Sequence, residues 1–201
     1  QIQNQGEIKK IGLAVDLCQA TINLAIDKQC QMLFVHHGVF WSGLQPIRGK
    51  QYEKLSTMIQ ANLGLYSAHI PLDLHPVYGN NRALADLIGL ESLETFGEYD
   101  GIKIGLKGLL PAISTKKLAE LLEEKLDTTV KVIGKGEVKT VGLVTGGAAD
   151  IVQQAIQDGL DCYITGEGAN HHFHEATEGN CILIFAGHYG KHDQYVHRET
   201  T

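Results

Sequence analysis

Met32-Leu33-Phe34-Val35-His36-His37-Gly38 is a short run of aliphatic and aromatic residues closed by two histidines and a glycine. Its length, its composition and the glycine that ends it predict a buried β-strand. Polar residues at the carboxyl end of such a strand fall at the rim of a parallel sheet, where α/β proteins place their sites. Neutral imidazole is the commonest side-chain metal ligand. Neighbouring residues on a strand point to opposite faces. His36 and His37 could therefore share one ion only if the chain turns at that point, and would more easily serve two neighbouring ions.

Two further apolar runs end in the same way. Leu65-Tyr66-Ser67-Ala68-His69 continues into Ile70-Pro71-Leu72-Asp73, and Ile182-Leu183-Ile184-Phe185-Ala186-Gly187-His188 is followed by Tyr189, His192 and Asp193. The chain has 10 histidines, and their concentration at strand ends is not what scattered surface placement produces.

An internal repeat organises the chain. Residues 11–37 align without a gap on residues 141–167, at an offset of 130. Each copy reads as strand, crossover helix (19–29 or 149–159), strand, and each runs into another helix and strand: 51–62 into 63–69, and 169–178 into 181–188. Crossover helices imply parallel strands with helices covering the sheet. The expected fold class is therefore α/β: two related halves with βαβ units, and mixed, mostly parallel sheets flanked by helices. Residues 115–126 form an amphipathic helical pattern with Ser114 as N-cap. Residues 101–106 and 130–134 read as strands. The glycine-rich stretch from Gly97 to Gly108 puts the boundary between halves near residues 92–100, giving domains of 1–95 and 96–201.

At 201 residues and 43% hydrophobic content the chain can bury a core of one or two domains. A net charge of −6 without a basic run argues against nucleic acid as the main ligand. No apolar stretch approaches a membrane span, and no secretory leader opens the chain. Cys18, Cys30, Cys162 and Cys181 form no CxxC pair and sit among apolar residues, which favours buried free thiols and a reducing cytoplasm. The chain opens on Gln1, which reads as a fragment, a processed chain or a trimmed one. No GxGxxG, Walker A or GxSxG pattern is present, so the dinucleotide, P-loop and serine-hydrolase readings fail.

Asp73, in the loop after the second strand, is either a metal carboxylate or a turn residue. Glu167 holds the place in the second repeat that His37 holds in the first, and is either a general base or an outer-shell orienter. His188 and His192 are four residues apart and could face one ion, with Asp193 as a substitute. In Asn170-His171-His172-Phe173-His174-Glu175, His171 shares a helix face with His174 and Glu175, a zinc-compatible spacing. The favoured reading there is that one or two of these histidines line the same cavity as the strand-end histidines without ligating. Trp41 is a core or interface aromatic rather than a stacking platform.

Phe34-Val35-His36-His37-Gly38-Val39-Phe40-Trp41, Ser67-Ala68-His69-Ile70-Pro71-Leu72-Asp73, Gly79-Asn80-Asn81, Thr165-Gly166-Glu167 and Ala186-Gly187-His188-Tyr189 together resemble the GTP cyclohydrolase 1 type 2 homologues, or NIF-three-like proteins. The resemblance covers about residues 3–190 and keeps the motif order. It implies two similar α/β domains in a toroidal homohexamer, with paired metals facing an inner cavity. It also implies His37 and Asp73 on one metal and His36 and His188 on the other. In the family a Glu four residues after the last of these histidines bridges both metals, and His192 stands there in this chain. The family also continues for some tens of residues past this point. Zn, Mn, Fe or Co would suit the His/Asp donors. The expected activity is a dinuclear metal-dependent hydrolase acting on a nucleotide-like or phosphoester small molecule, with His69 and Glu167 moving protons. The alternative is a non-catalytic metal-binding scaffold or interaction protein with an impaired second metal site.

Overall fold

The computed structural model describes residues 1–40 and 43–188. The described residues form two compact units, residues 1–72 and residues 73–188.

In the first unit, β1 (Ile11–Asp16), α1 (Gln19–Asp27), β2 (Met32–His37), α2 (Lys50–Gln60) and β3 (Gly64–Ser67) alternate, and a single helical turn, α3 (Ile70–Asp73), follows. The three strands pair in parallel in the order β1-β2-β3. Leu33, Val35 and Leu65 are buried on one face against Ile22 and Ala25 of α1 and Met58 of α2. Each large side chain buried there stabilises the unit by roughly 1.5–3 kcal/mol. On the opposite face Phe34 stacks on Tyr66 with ring centroids 5.3 Å apart, and Ile11, Leu13 and Tyr66 are exposed. The expected flanking helices thus cover one face of this sheet.

The second unit contains α4 (Asn80–Ile88), β4 (Glu91–Tyr99), β5 (Ile102–Ser114), α5 (Thr115–Leu126), β6 (Lys131–Ile133), β7 (Glu137–Val144), a 3-10 turn (Ala149–Ile151), α6 (Val152–Gln157), β8 (Cys162–Thr165), α7 (His172–Glu178) and β9 (Ile182–Phe185). Its sheet runs β4-β5-β7-β8-β9-β6. β7, β8 and β9 are parallel, while β4, β5 and β6 join antiparallel. Leu84, Ala85 and Ile88 of α4 and Leu118 and Leu122 of α5 bury one core with Val141, Leu143 and Ile164. Val152, Ala155 and Ala176 bury a second with Tyr163, Leu183 and Phe185. Every residue of β8 and β9 is buried, as strands covered on both faces require. Ser114 caps α5, its hydroxyl accepting from the Lys117 N–H at 3.3 Å.

The repeat read from sequence extends to hydrogen-bond register. Ile11, Gly12, Leu13 and Ala14 pair with Met32, Leu33, Phe34 and Val35, and their counterparts Val141, Gly142, Leu143 and Val144 pair with Cys162, Tyr163, Ile164 and Thr165. The division at Leu72/Asp73 differs from the boundary drawn at residue 95. α4 already belongs to the core with α5, and β4 is a strand of the six-stranded sheet.

Asp161, just before β8, ties it to β7. Its Oδ2 accepts from the Lys139 N–H at 2.9 Å, the Thr140 N–H at 2.8 Å and the Thr140 hydroxyl at 3.0 Å. Burial works to raise its pKa, but these three hydrogen bonds outweigh it and hold the carboxyl below its ordinary 3.8. A depressed folded pKa stabilises the protein above the unfolded value, and that contribution is lost as pH falls through the folded value. Asp161→Ala is expected to cost about 1–3 kcal/mol at pH 7. In urea unfolding the gap between wild type and variant should narrow at pH 3. A gap that stays constant from pH 7 to pH 3 would show that the charge contributes nothing.

Candidate metal centre

β1 and β2 end side by side, with Asp16 opposite His37 in the parallel register. The His37 Nδ1–H donates to Asp16 Oδ1 at 2.7 Å. The His36 Nδ1–H donates to the backbone oxygen of Ala68 at 3.1 Å. Both acceptors are oxygens without a proton to give, which places the hydrogen on Nδ1 in each ring and leaves the lone pair on Nε2. This is how metal-ligating histidines are held. Ala68 is fixed by its N–H on the Val35 oxygen at 3.1 Å, and the Ser67 hydroxyl donates to the His36 oxygen at 3.1 Å.

The next residue, His69, completes the group. One ring nitrogen each from His36, His37 and His69 lies within 4.8 Å of the others. The ring centroids are 4.7, 4.8 and 5.0 Å apart and the planes are tilted by 60° to 73°. Strict alternation along a strand would send His36 and His37 to opposite faces. They meet because β2 ends at His37 and Gly38 follows. A Cβ on Gly38 would strike the Gln1 side-chain oxygen and lie 2.6 Å from the Ser67 Cβ, so only glycine lets the chain pass there. Three partly buried imidazoles, two with their tautomers fixed from behind, make a donor set that fits a divalent cation of zinc, manganese, iron or cobalt type.

In the second unit Asp73 closes α3, and the Asn80 side-chain amide donates to its Oδ1 at 2.7 Å. Asn81, 2% exposed, donates to the backbone oxygens of Asp73 at 3.1 Å and Ile104 at 2.7 Å, and accepts from the Thr145 N–H at 2.8 Å. The Gly79-Asn80-Asn81 motif thus positions the Asp73 carboxylate. The His188 Nδ1–H donates to Glu167 Oε1 at 2.9 Å, so Glu167 has the geometry of an orienter. Gly166 passes between the Gly146 and Gly187 carbonyls, where a Cβ would lie 2.7 and 3.0 Å from their oxygens.

A separate group gathers Asp150, His171 and His172. His172 is 4% exposed, its Nε2 is 2.9 Å from Asp150 Oδ1, and its Nδ1 is 3.0 Å from both the nitrogen and the oxygen of Ala169. His171, the N-cap of α7, keeps helical dihedrals, and its backbone oxygen accepts from the His174 and Glu175 N–H groups, while its ring nitrogen joins those of His172 and the Asp150 carboxylate. The His171 and His172 ring centroids lie 4.0 Å apart with the planes tilted by 37°.

Trp41, Tyr189, His192 and Asp193 lie outside the described residues. Asp16 and Asp150 were not singled out in the sequence. Asp16 carried a signal, as the polar end of the apolar run Ile11–Val15.

The chain matches the family model Duf34/NIF3 (NGG1p interacting factor 3) over residues 1–198. A "GTP cyclohydrolase 1 type 2 homolog" of Halobacterium salinarum is 38% identical over 188 residues, 90% of this chain and 74% of the relative. A protein of the same name from Deinococcus radiodurans is 38% identical over 192 residues, 94% of this chain and 73% of the relative. Among solved structures, the protein ybgI, of unknown function, superposes with a TM-score of 0.87 at 31% identity, covering 96% of this chain and 78% of that one.

Loss of an outer-shell partner typically lowers metal affinity 10- to 100-fold. Asp16→Ala should weaken zinc binding in calorimetric titration by about that factor. Equal affinity in variant and wild type would mean that Asp16 does not orient a ligand.

Proposed function

The chain belongs to the Duf34/NIF3 family, and on that premise we propose a divalent-metal hydrolase acting on a nucleotide-like or phosphoester small molecule. The observation that carries this reading is the convergence of His36, His37 and His69 with two Nδ1–H groups committed to oxygens. Those bonds fix which nitrogen faces the ligand before any cation arrives. The donors added by the family resemblance are Asp73, His188 and His192. A bound divalent cation supplies Lewis acidity and lowers the pKa of water toward neutrality.

The chain's own residues then have distinct tasks. His36 and His37 offer Nε2 lone pairs, and Asp16 and the Ala68 carbonyl hold those rings in place. Glu167 holds His188 through Nδ1, and Asn80 holds Asp73. With His36 and His37 spent on the cation, His69 beside them is left for proton transfer, together with Glu167. The name shared by the relatives suggests a nucleotide ring as one substrate to test. The reading includes a homohexamer, by resemblance, and a cytoplasmic setting, which accords with four free thiols; Cys162 and Cys181 are buried as expected, but Cys30 is half-buried and Cys18 is exposed at the start of α1. Among the described residues no helix is long and apolar enough to cross a membrane. A second reading, a metal-binding scaffold without catalysis, is favoured by His192 at the position where the resemblance places a bridging Glu, because a neutral imidazole cannot join two cations.

The double variant His36→Ala, His37→Ala should lose its bound metal in elemental analysis while its thermal midpoint changes little, since both residues lie at the sheet rim. Full metal stoichiometry in that variant would overturn the assignment. Metal-loaded wild type screened against nucleotides and phosphodiesters, with the double variant as control, separates the two readings. Turnover with about two ions per chain supports the hydrolase, and one ion or none without turnover supports the scaffold.

A further inference from the structure

A cavity of about 250 Å³ opens beside His37 within the first unit, and its walls include Asp16, Gln45, Gln51, Lys54 and Leu55. His37 belongs both to its wall and to the histidine trio, so the cavity adjoins the candidate metal centre. Its size is below the roughly 300–1,000 Å³ of pockets that enclose a whole drug-sized ligand. It therefore suits one part of a substrate.

The chemistry of the wall says which part. Lys54 is half-buried on α2, one turn after Lys50, and its Nζ donates to the Leu17 backbone oxygen at 3.4 Å. That contact is long, and an ammonium has three N–H donors. Gln45 and Gln51 add two amide groups on the same wall. Lys50 is engaged elsewhere, on Glu53 at 2.7 Å. A cation and two amides facing one small space suit a group rich in acceptor oxygens. Asp16 also lines the cavity and opposes an anion, although its Oδ1 already accepts from His37. A divalent cation on the histidines, added to the Lys54 ammonium, outweighs that single carboxylate. The cavity thus favours an anion only when the metal is present.

We infer that this cavity is the phosphate subsite of the metal centre, with Lys54 as the residue that selects a phosphorylated substrate. The inference rests on the metal-hydrolase reading, because the charge balance requires the cation. Lys54 holds the phosphoryl oxygens, Gln45 and Gln51 share them, and the remainder of the substrate lies toward His37.

The test uses the full chain loaded with Mn²⁺, inorganic phosphate as the probe, and two readouts. Metal per chain is measured by elemental analysis after gel filtration. Phosphate binding is measured by paramagnetic enhancement of ³¹P relaxation. The expected result is phosphate binding to the loaded wild type and none to the metal-free protein. Lys54→Met should weaken it at least about tenfold, the scale of a hydrogen bond to a charged group. Metal content should be unchanged in that variant. Lys50→Met, which removes the same charge one turn away, should leave phosphate affinity within about twofold, as expected for an exposed charge. Acetate in place of phosphate should compete at least about tenfold more weakly, having fewer acceptor oxygens. Equal phosphate affinity in Lys54→Met and wild type at equal metal content would overturn the subsite and leave the metal reading standing. So would a loaded wild type that binds no phosphate, or acetate that competes as well as phosphate. Wild type that holds no metal would overturn the metal reading and this inference with it.

Discussion

The parallel register of β1 on β2 is the constraint from which the rest of the candidate site follows. Strand side chains alternate faces, so a slip of one residue would turn Leu33 and Val35 from the core to the open face. Each of those side chains contributes roughly 1.5–3 kcal/mol by burial, and that core has no other way to close. Gly12 reinforces the alignment: a Cβ there would lie 3.3 Å from the Leu33 side chain and 3.7 Å from Ala25, so α1 can settle close over the sheet. With the register fixed, Asp16 must fall opposite His37. The hydrogen bond between them, at 2.7 Å, then sets the tautomer of the imidazole. An apolar core several residues away thereby determines which nitrogen of His37 is presented to a cation.

The parts of the fold legible in the sequence were those whose hydrophobic pattern has one solution. β8 and β9 are four-residue buried runs, apolar except for Thr165, and the repeat makes their parallel pairing readable from sequence. β5 was harder to read. Alternation was visible only over residues 101–106, whereas the strand continues to Ser114 through Pro111. Proline removes a donor and ordinarily ends a central strand. It is tolerated here where the β5–β7 register shifts between Leu109 and Ile113, and such an irregularity has no signature in composition. β4 was missed for a related reason. It lies at the sheet edge, and of its nine residues only Phe96 and Gly97 are buried, so it lacks a periodic apolar face.

The candidate site divides along the same line. His36, His37 and His69 announced themselves as the ends of apolar runs. Their mutual approach did not, because it depends on β2 stopping at His37 and on the space that Gly38 leaves beside Ser67. Asp16 is a single carboxylate after five apolar residues, and its meaning appears only once its strand partner is known. Asn80 and Asn81 belonged to a recognisable motif, but their bonds to Asp73, Ile104 and Thr145 follow from packing within the second unit.

The two units show how one register can support two arrangements of the same chemistry. In the first, the acid ends the first strand of the repeat and the histidine ends the second. In the second, Gly146 stands at the place of Asp16 and Glu167 at the place of His37, while the histidine has moved to the strand after, as His188. The conserved quantity is a carboxylate on an imidazole Nδ1–H at the carboxyl rim, at 2.7 Å in one unit and 2.9 Å in the other. The glycine is the complement of that displacement. A Cβ at Gly146 would already lie 3.6 Å from His188 Nε2, and one at Gly147 would lie 3.4 Å from Glu167 Oε1. An aspartate at position 146 would extend its carboxylate into the space those two side chains occupy. Gly146, two residues past the end of β7, holds a φ of +79° that side chains rarely adopt, and the chain turns there beside the pair.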